Sequence, residues 1–100
     1  MLTKMLAKIL TVNHKIMTQI IIYTKDICPY CTKAKALLQK KQVQFSEIKI
    51  TNEQIKAEMI AKSNGRLTVP QIFINNQHIG GCDDLYALES ANKLDQLLKK

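Results

Sequence analysis

The sequence predicts an α/β domain in which a mixed four-stranded sheet is flanked by three helices, in the order βαβαββα. Short β-branched apolar runs alternate with segments whose apolar residues recur every three or four positions. Two of these runs are separated only by Asn75 and Asn76, a pair that favours a tight hairpin. One hundred residues with 46% hydrophobic content suffice for one such domain and leave no room for a second.

The first three elements are predicted to be a strand, a helix and a second strand. The run 20–23 is continuously apolar, as in a strand buried on both faces. A helix follows over 29–41, and its inward-facing residues are Cys31, Ala34, Leu37 and Leu38. A second strand is expected over 43–50, where a change of phase in the apolar alternation indicates a bend. Because a helix joins the two strands, we expect a parallel pair.

The second half of the chain predicts a helix, a hairpin and a last helix. The stretch 51–54, Thr-Asn-Glu-Gln, offers a capping box into a helix that ends at 63–65, Ser-Asn-Gly. Its inward-facing residues are Ile55, Met59 and Ile60. Short strands are expected at 71–74 and 77–79. Two acidic residues then suit the start of one last helix, whose inward-facing residues are Leu85, Leu88, Ala91, Leu94 and Leu98.

Residues 1–16 differ in composition from the rest of the chain. They contain three lysines, no acidic residue and no strand pattern. We therefore expect a poorly ordered extension over 1–16 and a single domain over 17–100. Two alternatives stay open: a targeting segment, although a transit peptide is usually richer in Arg and Ser, and an upstream stretch before a translation start at Met17.

Charge and cysteine content argue against several functions. Fifteen basic residues against eight acidic ones give +7, but they are dispersed and lack interleaved aromatics, so we expect no nucleic-acid partner. No apolar run approaches the roughly 20 residues that span a bilayer, so we expect no membrane partner. Three cysteines at these spacings do not make a disulfide scaffold, which favours a reducing compartment, the cytoplasm.

The sequence Cys28-Pro29-Tyr30-Cys31 places two thiols one helical turn apart, close enough to form a disulfide. Pro29 suits the first position of a helix, which puts Cys28 at the N-cap, where unpaired N–H groups face its sulfur. These dipoles, together with nearby lysines, are expected to hold the pKa of the Cys28 thiol below its ordinary value. Cys28 is the candidate nucleophile and Cys31, on the buried face, the candidate resolving thiol.

Four motifs in this order resemble the glutaredoxin family, specifically dithiol glutaredoxins of the bacterial glutaredoxin 3 type. They are Tyr23-Thr24-Lys25, Cys28-Pro29-Tyr30-Cys31, the segment 68–74 (Thr-Val-Pro-Gln-Ile-Phe-Ile) and the segment 80–85 (Gly-Gly-Cys-Asp-Asp-Leu). The similarity runs from about Gln19 to the C-terminus. It implies a thioredoxin fold and an enzyme that reduces protein disulfides and glutathione mixed disulfides, with glutathione as co-substrate and no bound cofactor. Its partners would be disulfide-containing or glutathionylated proteins, and ribonucleotide reductase would be one of them. The enzyme would act as a monomer.

The resemblance also implies a glutathione site. Pro70 matches the family's cis-proline, beside which Val69 would offer its N–H and C=O to the glutathione backbone. The segment 81–83 matches the part that holds the γ-glutamyl end. Lys25 and Tyr30 match positions that flank the cysteinyl sulfur and the glycine carboxylate, and Arg66 is a further candidate at that anion site. The binding residues implied by the resemblance are Lys25, Tyr30, Thr68, Val69, Pro70, Gly81, Cys82 and Asp83.

Three other functions are weighed against this one. Family members that carry iron–sulfur clusters typically place Gly and Phe between a cysteine and a serine, a pattern absent here. A thioredoxin reduced directly by a reductase would have Trp before the pair and Gly-Pro inside it, and neither is present. A zinc site of Cys28, Cys31, His78 and Cys82 has suitable ligand types, but the chain after Cys31 continues as helix rather than as a glycine turn.

Two residues outside the thiol pair have open roles in the sequence. His78 is predicted to be a strand residue that faces solvent, since no catalytic partner is visible. Cys82 is either a second reactive thiol or a small buried hydrophobe. The two aromatic residues Tyr23 and Phe73 are predicted to lie in the core.

Overall fold

The computed structural model of the chain describes residues 18–99 and has the predicted α/β architecture. Its elements are β1 (Ile20–Thr24), α1 (Pro29–Lys40), β2 (Ser46–Lys49), α2 (Glu53–Lys62), β3 (Gln71–Ile74), β4 (Gln77–Gly80), α3 (Cys82–Ser90) and α4 (Leu94–Leu97). The strand order is β2-β1-β3-β4. β1 is parallel to β2, as predicted, and antiparallel to β3, while β3 and β4 are antiparallel. The extension predicted over 1–16 lies outside the described residues.

The sheet separates two apolar clusters. The first contains buried residues from β1, β3, α1, α3 and α4. The second is built around Tyr23, Phe73 and Met59, so both predicted core aromatics are buried. Successive side chains of a strand point to opposite faces, which is why Ile22 belongs to the first cluster and Tyr23 to the second. Full burial of one such apolar side chain stabilises the fold by about 1.5–3 kcal/mol.

Helix α1 begins and packs as the sequence predicts. Cys28 is its N-cap, Pro29 is its first residue, and the buried positions are Cys31, Ala34, Leu37 and Leu38. The strand that follows is shorter than predicted, because only Ser46–Lys49 pairs with β1. The phase change seen in the sequence assigns Val43 and Phe45 to the first cluster and Ile48 and Ile50 to the second.

The start of α2 differs from the predicted capping box in the residue that caps the helix. Asn52 is the N-cap, and its Oδ1 accepts a hydrogen bond from the Ile55 N–H at 2.8 Å. An asparagine at this position satisfies a free N–H of the first turn, so the preceding Thr51 is not needed as the cap. Met59 is buried as predicted, whereas Ile55 and Ile60 are only half-buried at the edge of the second cluster.

The β3–β4 hairpin follows the prediction. Asn75 and Asn76 have φ of 50° and 66°, the left-handed conformation that a two-residue turn requires. Asn75 also accepts a hydrogen bond through Oδ1 from the Gln19 N–H at 2.9 Å, which fixes the start of β1 against the turn.

The prediction of a single last helix is wrong, because the chain forms two helices, α3 and α4, after β4. Asn92 has φ of 60°, a conformation that ends a helix, and Ala91 is exposed rather than inward-facing. Leu94 and Leu98 remain buried after the break. Lys41 Nζ forms an ion pair with each helix, with Glu89 Oε1 of α3 at 2.8 Å and with Asp95 Oδ1 of α4 at 2.9 Å. Four helices therefore flank the sheet, and across residues 18–99 none is long and apolar enough to span a membrane.

Candidate active site

The thiol pair lies at the start of α1, just after β1. Cys28 and Cys31 are joined by a disulfide, with their Cα atoms 5.2 Å apart. Cys28 is partly exposed, whereas Cys31 is 2% exposed. The Cys31 backbone N–H donates to Cys28 Sγ at 3.1 Å. The two residues therefore differ as the sequence predicts: Cys28 is partly exposed and its sulfur faces an N–H donor, whereas Cys31 is buried.

Two of the charges near the pair are neutralised by β2. Asp26 Oδ1 lies 3.0 Å from Lys49 Nζ, and Lys35 Nζ lies 2.9 Å from Glu47 Oε2. Glu47 also accepts a hydrogen bond from the buried Thr24 hydroxyl at 2.6 Å. The hydroxyl and the Lys35 ammonium hold the pKa of the Glu47 carboxyl below its usual range. Within residues 18–99, Lys25 and Lys33 have no acidic partner within 4 Å, so two of the three lysines near the pair keep an uncompensated charge.

A buried amide holds the loop that leads into β3. Gln71 is fully buried, and its Nε2 donates to the Thr68 carbonyl at 3.1 Å. Because a carbonyl only accepts, the amide oxygen of Gln71 must face the other way, toward His78 Nε2 at 2.7 Å. That nitrogen of His78 therefore carries the proton. The Val69–Pro70 peptide bond in the same loop is cis, as the resemblance implies.

The prediction that His78 faces solvent is wrong. Its ring is half-buried against Phe73, with centroids 5.1 Å apart. Burial, with the Arg66 charge adding, lowers the pKa of the His78 imidazole, and Asp84 opposes the shift. His78 thus supports the Thr68 loop through Gln71. This role has no local signal in the sequence, because Gln71 lies on the neighbouring strand.

A cavity of about 230 Å³ opens beside Tyr30. It brings together seven of the eight residues that the resemblance implies for glutathione: Tyr30, Thr68, Val69, Pro70, Gly81, Cys82 and Asp83. Arg66 and Asp84 complete its lining. The eighth residue, Lys25, lines instead a neighbouring cavity of about 340 Å³, and both cavities include Thr68 and Val69. The binding roles of these residues remain predictions.

Asp84 lines this cavity in addition to its predicted place at the start of the last helix. Its Oδ2 accepts a hydrogen bond from the Gly81 N–H at 2.8 Å and lies 3.5 Å from Arg66. Gly81 is the N-cap of α3, so Asp84 is the acidic third residue that a capping box requires. The spacing of three residues between Gly81 and Asp84 can be read from the sequence. Asp84 fixes the cavity wall formed by the start of α3.

Cys82 is a small buried residue of the cavity wall. It is free and 4% exposed. Burial raises the pKa of its thiol, and the nearby Asp83 adds to this while Lys33 opposes it. Of the two roles left open by the sequence, the geometry favours the buried hydrophobe.

We expect Cys82 to be alkylated much more slowly than Cys28 in the reduced, folded protein. The thiolate is the reactive form, so a raised pKa and burial together reduce the rate by about tenfold or more. Timed iodoacetamide labelling at neutral pH with peptide mass spectrometry measures both rates, and a Cys82→Ala variant identifies the peptide. Equal labelling rates at the two residues would show that Cys82 is a second reactive thiol.

The arrangement gives no support to the zinc alternative. Cys28 and Cys31 are bonded to each other, and His78 uses its Nε2 on Gln71. No three His, Cys, Asp or Glu side chains in the described part of the chain gather as metal ligands.

A reversible dithiol at a helix N-terminus, after the first strand of this sheet and beside an open cavity, defines a thiol–disulfide oxidoreductase with the thioredoxin fold. Comparison with known proteins identifies the family within this class of enzymes. The glutaredoxin family model matches residues 20–79. The chain belongs to the glutaredoxin family, whose members are glutathione-dependent thiol oxidoreductases. The family, the fold and the dithiol chemistry predicted from the sequence are thus confirmed.

Three similar proteins illustrate the match. Glutaredoxin 3 of Escherichia coli is 58% identical over 83 residues, which cover 83% of this chain and 100% of that protein. The solution structure of glutaredoxin from Brucella melitensis has a TM-score of 0.74 at 54% identity, over 84% of this chain and 91% of that one. A buckwheat glutaredoxin–glutathione complex has a TM-score of 0.75 at 26% identity, over 95% and 91% of the two chains.

Proposed function

We propose that Cys28 is the nucleophile and Cys31 the resolving thiol in the reduction of protein disulfides and glutathione mixed disulfides. The observation that carries the proposal is the asymmetry of the pair. Cys28 is partly exposed with an N–H aimed at its sulfur, whereas Cys31 is 2% exposed. An N–H donor at a helix start stabilises a thiolate, the form that attacks disulfides.

Mixed disulfides require only one of the two thiols. The Cys28 thiolate attacks the glutathionyl sulfur, forms a Cys28–glutathione disulfide and releases the client as a thiol. A second glutathione attacks that disulfide, releases oxidised glutathione and restores Cys28. Two glutathione units leave as one disulfide, so the electrons balance.

Client disulfides require both thiols. Cys28 attacks one client sulfur and releases the other as a thiol, which leaves enzyme and client joined. Cys31 then attacks the Cys28 sulfur, frees the client and closes the Cys28–Cys31 disulfide. The Cα separation of 5.2 Å supports this step, since it lies within the range of ordinary disulfides. Two glutathione molecules reduce the enzyme again and leave as oxidised glutathione.

The 230 Å³ cavity is the proposed glutathione site. Its support is chemical: Val69 has a backbone suited to pair with a peptide, and the start of α3 offers free N–H groups to a carboxylate. The γ-glutamyl carboxylate would bind there, and the Asp83 carboxylate suits its ammonium group. Tyr30 and Lys25 would lie toward the cysteinyl sulfur and the glycine end.

The proposal extends to partners and location. The clients would be disulfide-containing or glutathionylated proteins, ribonucleotide reductase among them, and the enzyme would act as a monomer in the cytoplasm. The odd number of cysteines supports a reducing compartment, and the similar proteins include bacterial glutaredoxins.

A two-substrate assay tests the proposed function. The mixed disulfide of glutathione and 2-mercaptoethanol is reduced by glutathione, with glutathione reductase and NADPH reporting oxidised glutathione. We expect saturation in both substrates at micromolar enzyme. Turnover that needs only a thioredoxin reductase and no glutathione would overturn the proposal.

We also propose that the functional domain begins at residue 17. Deletion of residues 1–16 is then expected to leave the free energy of unfolding and the assay rate nearly unchanged. Urea denaturation of the full chain and the shortened chain measures the difference. A loss above about 1 kcal/mol would instead show that apolar residues of this segment are buried against the domain.

A further inference from the structure

Gln71 is a fully buried polar side chain in an apolar part of the sheet. Gln71 and Phe73 are two positions apart on β3 and share a face, and His78 lies opposite Phe73 on β4. The strand register therefore places the His78 ring diagonally beside the Gln71 amide. A buried amide needs partners for both its oxygen and its nitrogen, and Gln71 has one at each end, His78 and Thr68.

The Gln71 amide fixes the peptide plane between Thr68 and Val69. Thr68 is exposed, yet its carbonyl accepts a hydrogen bond from the buried Gln71 Nε2 at 3.1 Å and so faces the interior. The cis bond of this loop is Val69–Pro70, and the Thr68–Val69 bond is trans. The carbonyl and the N–H of a trans peptide point in opposite directions. The Val69 N–H therefore points away from Gln71.

The Val69 N–H is a free donor beside the 230 Å³ cavity, which Thr68 and Val69 both line. Within residues 18–99, it donates to neither a backbone nor a side-chain acceptor. A donor that is already held in one direction binds an incoming carbonyl without first being ordered, so less entropy is lost on binding.

His78 determines which end of the Gln71 amide faces Thr68. Its Nε2 lies 2.7 Å from Gln71 Oε1 and carries the proton of that contact. If the amide turned by half a rotation, its oxygen would face the Thr68 carbonyl and its NH₂ group would face the His78 N–H, so both hydrogen bonds would be lost. The protonated ring also has a proton on Nε2, so the contact does not depend on the charge of His78.

We propose that Gln71 and His78 are positioning residues of the glutathione site, which hold the Val69 N–H in the direction that pairs with a backbone carbonyl of the glutathionyl group. The contacts from His78 through Gln71 to Thr68 are called the amide relay below. The proposal rests on the proposed function, because it assumes that glutathione pairs with Val69. The amide relay touches no reacting atom, so it affects substrates with a peptide backbone and not the reactivity of Cys28 itself.

Two disulfides with the same leaving group test the amide relay. One is the mixed disulfide of glutathione and 2-mercaptoethanol, and the other is the symmetric disulfide of 2-mercaptoethanol. Cys28 attacks either one and releases 2-mercaptoethanol, and Cys31 then closes the Cys28–Cys31 disulfide and releases the second thiol. Only the first substrate has a peptide backbone. The oxidation rate of the reduced enzyme is measured with each, without free glutathione, by acid quenching and mass spectrometry.

Three variants interrupt the amide relay in different ways. Gln71→Met keeps the shape of the side chain and removes both hydrogen bonds. Gln71→Glu keeps the acceptor for His78 but places a carboxylate, a second acceptor, against the Thr68 carbonyl. His78→Phe keeps a ring beside Phe73 and removes the donor.

Tyr23→Phe is the matched control. It removes the hydrogen bond from the Tyr23 hydroxyl to Glu58 Oε1 at 2.8 Å, in the same apolar cluster as Phe73 and without any contact to Thr68. Thermal unfolding checks the fold of every variant.

We expect the wild type to react faster with the glutathione mixed disulfide than with the symmetric disulfide. Gln71→Met and Gln71→Glu should each lower the first rate by about tenfold, because a hydrogen bond that positions Val69 is lost, and leave the second rate unchanged. His78→Phe should lower the first rate by about threefold, since the Gln71 donor remains but its orientation is no longer fixed. Tyr23→Phe should change neither rate.

The tautomer of His78 tests the amide relay without any variant. NMR of the ring nitrogens in the folded wild type, slightly above neutral pH, distinguishes a neutral ring protonated at Nε2 from one protonated at Nδ1. We expect the proton at Nε2, because Gln71 Oε1 only accepts. A proton at Nδ1 would overturn the amide relay even if the substituted proteins failed to fold.

Two kinetic results would also overturn the amide relay. They are equal losses on both disulfides, which would indicate general damage to the domain, and a loss on the glutathione mixed disulfide that is no larger in Gln71→Met than in Tyr23→Phe. If the wild type used the two disulfides at equal rates, the proposed glutathione site itself would be rejected, and the amide relay would have no role in it.

Discussion

Cys28→Ser is expected to abolish the reduction of both glutathione mixed disulfides and client disulfides, whereas Cys31→Ser should keep the first activity and lose most of the second. Among the three cysteines, all of which lie within residues 18–99, Cys28 alone is partly exposed with an N–H donor on its sulfur, so we expect it to begin both reactions. Glutathione from solution can complete the mixed-disulfide cycle without Cys31. We expect losses of about a hundredfold or more wherever a required thiol is missing.

Both variants should remain folded, and thermal unfolding provides that control. The small mixed disulfide and a protein disulfide such as that of insulin provide the two activity measurements. A zinc site would predict similar damage to the fold from either substitution, because each would remove a ligand. If folded Cys31→Ser is as inactive as Cys28→Ser toward mixed disulfides, the assignment of nucleophile and resolving thiol is wrong.

Gly80→Ala is expected to destabilise the domain by about 2–4 kcal/mol and to raise KM for glutathione substrates. Gly80 has φ of 123°, and a Cβ there would lie 2.6 Å from Asp84 Cγ. Asp84 would have to move, which would break its hydrogen bond from the Gly81 N–H. The start of α3 would lose its cap, and one wall of the proposed glutathione site would shift with it.

Gly65→Ala is the matched control for this prediction. Gly65 also has a positive φ, 91°, but a Cβ there would meet no atom within 4 Å. It should therefore show only the conformational cost, about 1–2 kcal/mol, with KM unchanged. Urea denaturation gives the free energies of unfolding. Equal effects of the two substitutions on both stability and KM would contradict the role given to Asp84.

The thiol pair and its helix could be predicted because their signals are local. The N-cap position of Cys28, the proline at the first helical position and the inward side of α1 all follow from residues within three turns of one another. The hairpin at Asn75 and Asn76 is equally local, since both residues tolerate left-handed backbone. Where the residues of one short segment determine its structure, periodicity and capping rules are enough to predict that structure.

The features that were missed depend on packing between distant elements. The hydrogen bond between His78 and Gln71 exists because β3 and β4 pair in one particular register. The break after α3 is set by Asn92, whose left-handed conformation has no signal in the apolar periodicity that continues to Leu98. The shared cavity of Lys25 and Lys56 becomes visible only when the positions of β1 and α2 are known in space.

The left-handed backbone at Ile27 lowers the stability of the domain. An isoleucine in the left-handed region costs about 1–2 kcal/mol relative to a residue that adopts it freely, and its side chain, 97% exposed, recovers almost none of this through burial. A laboratory screen for heat resistance should therefore return Asn or Gly at position 27 early. Such a screen would favour a more durable protein that has lost the exposed apolar side chain directly before Cys28.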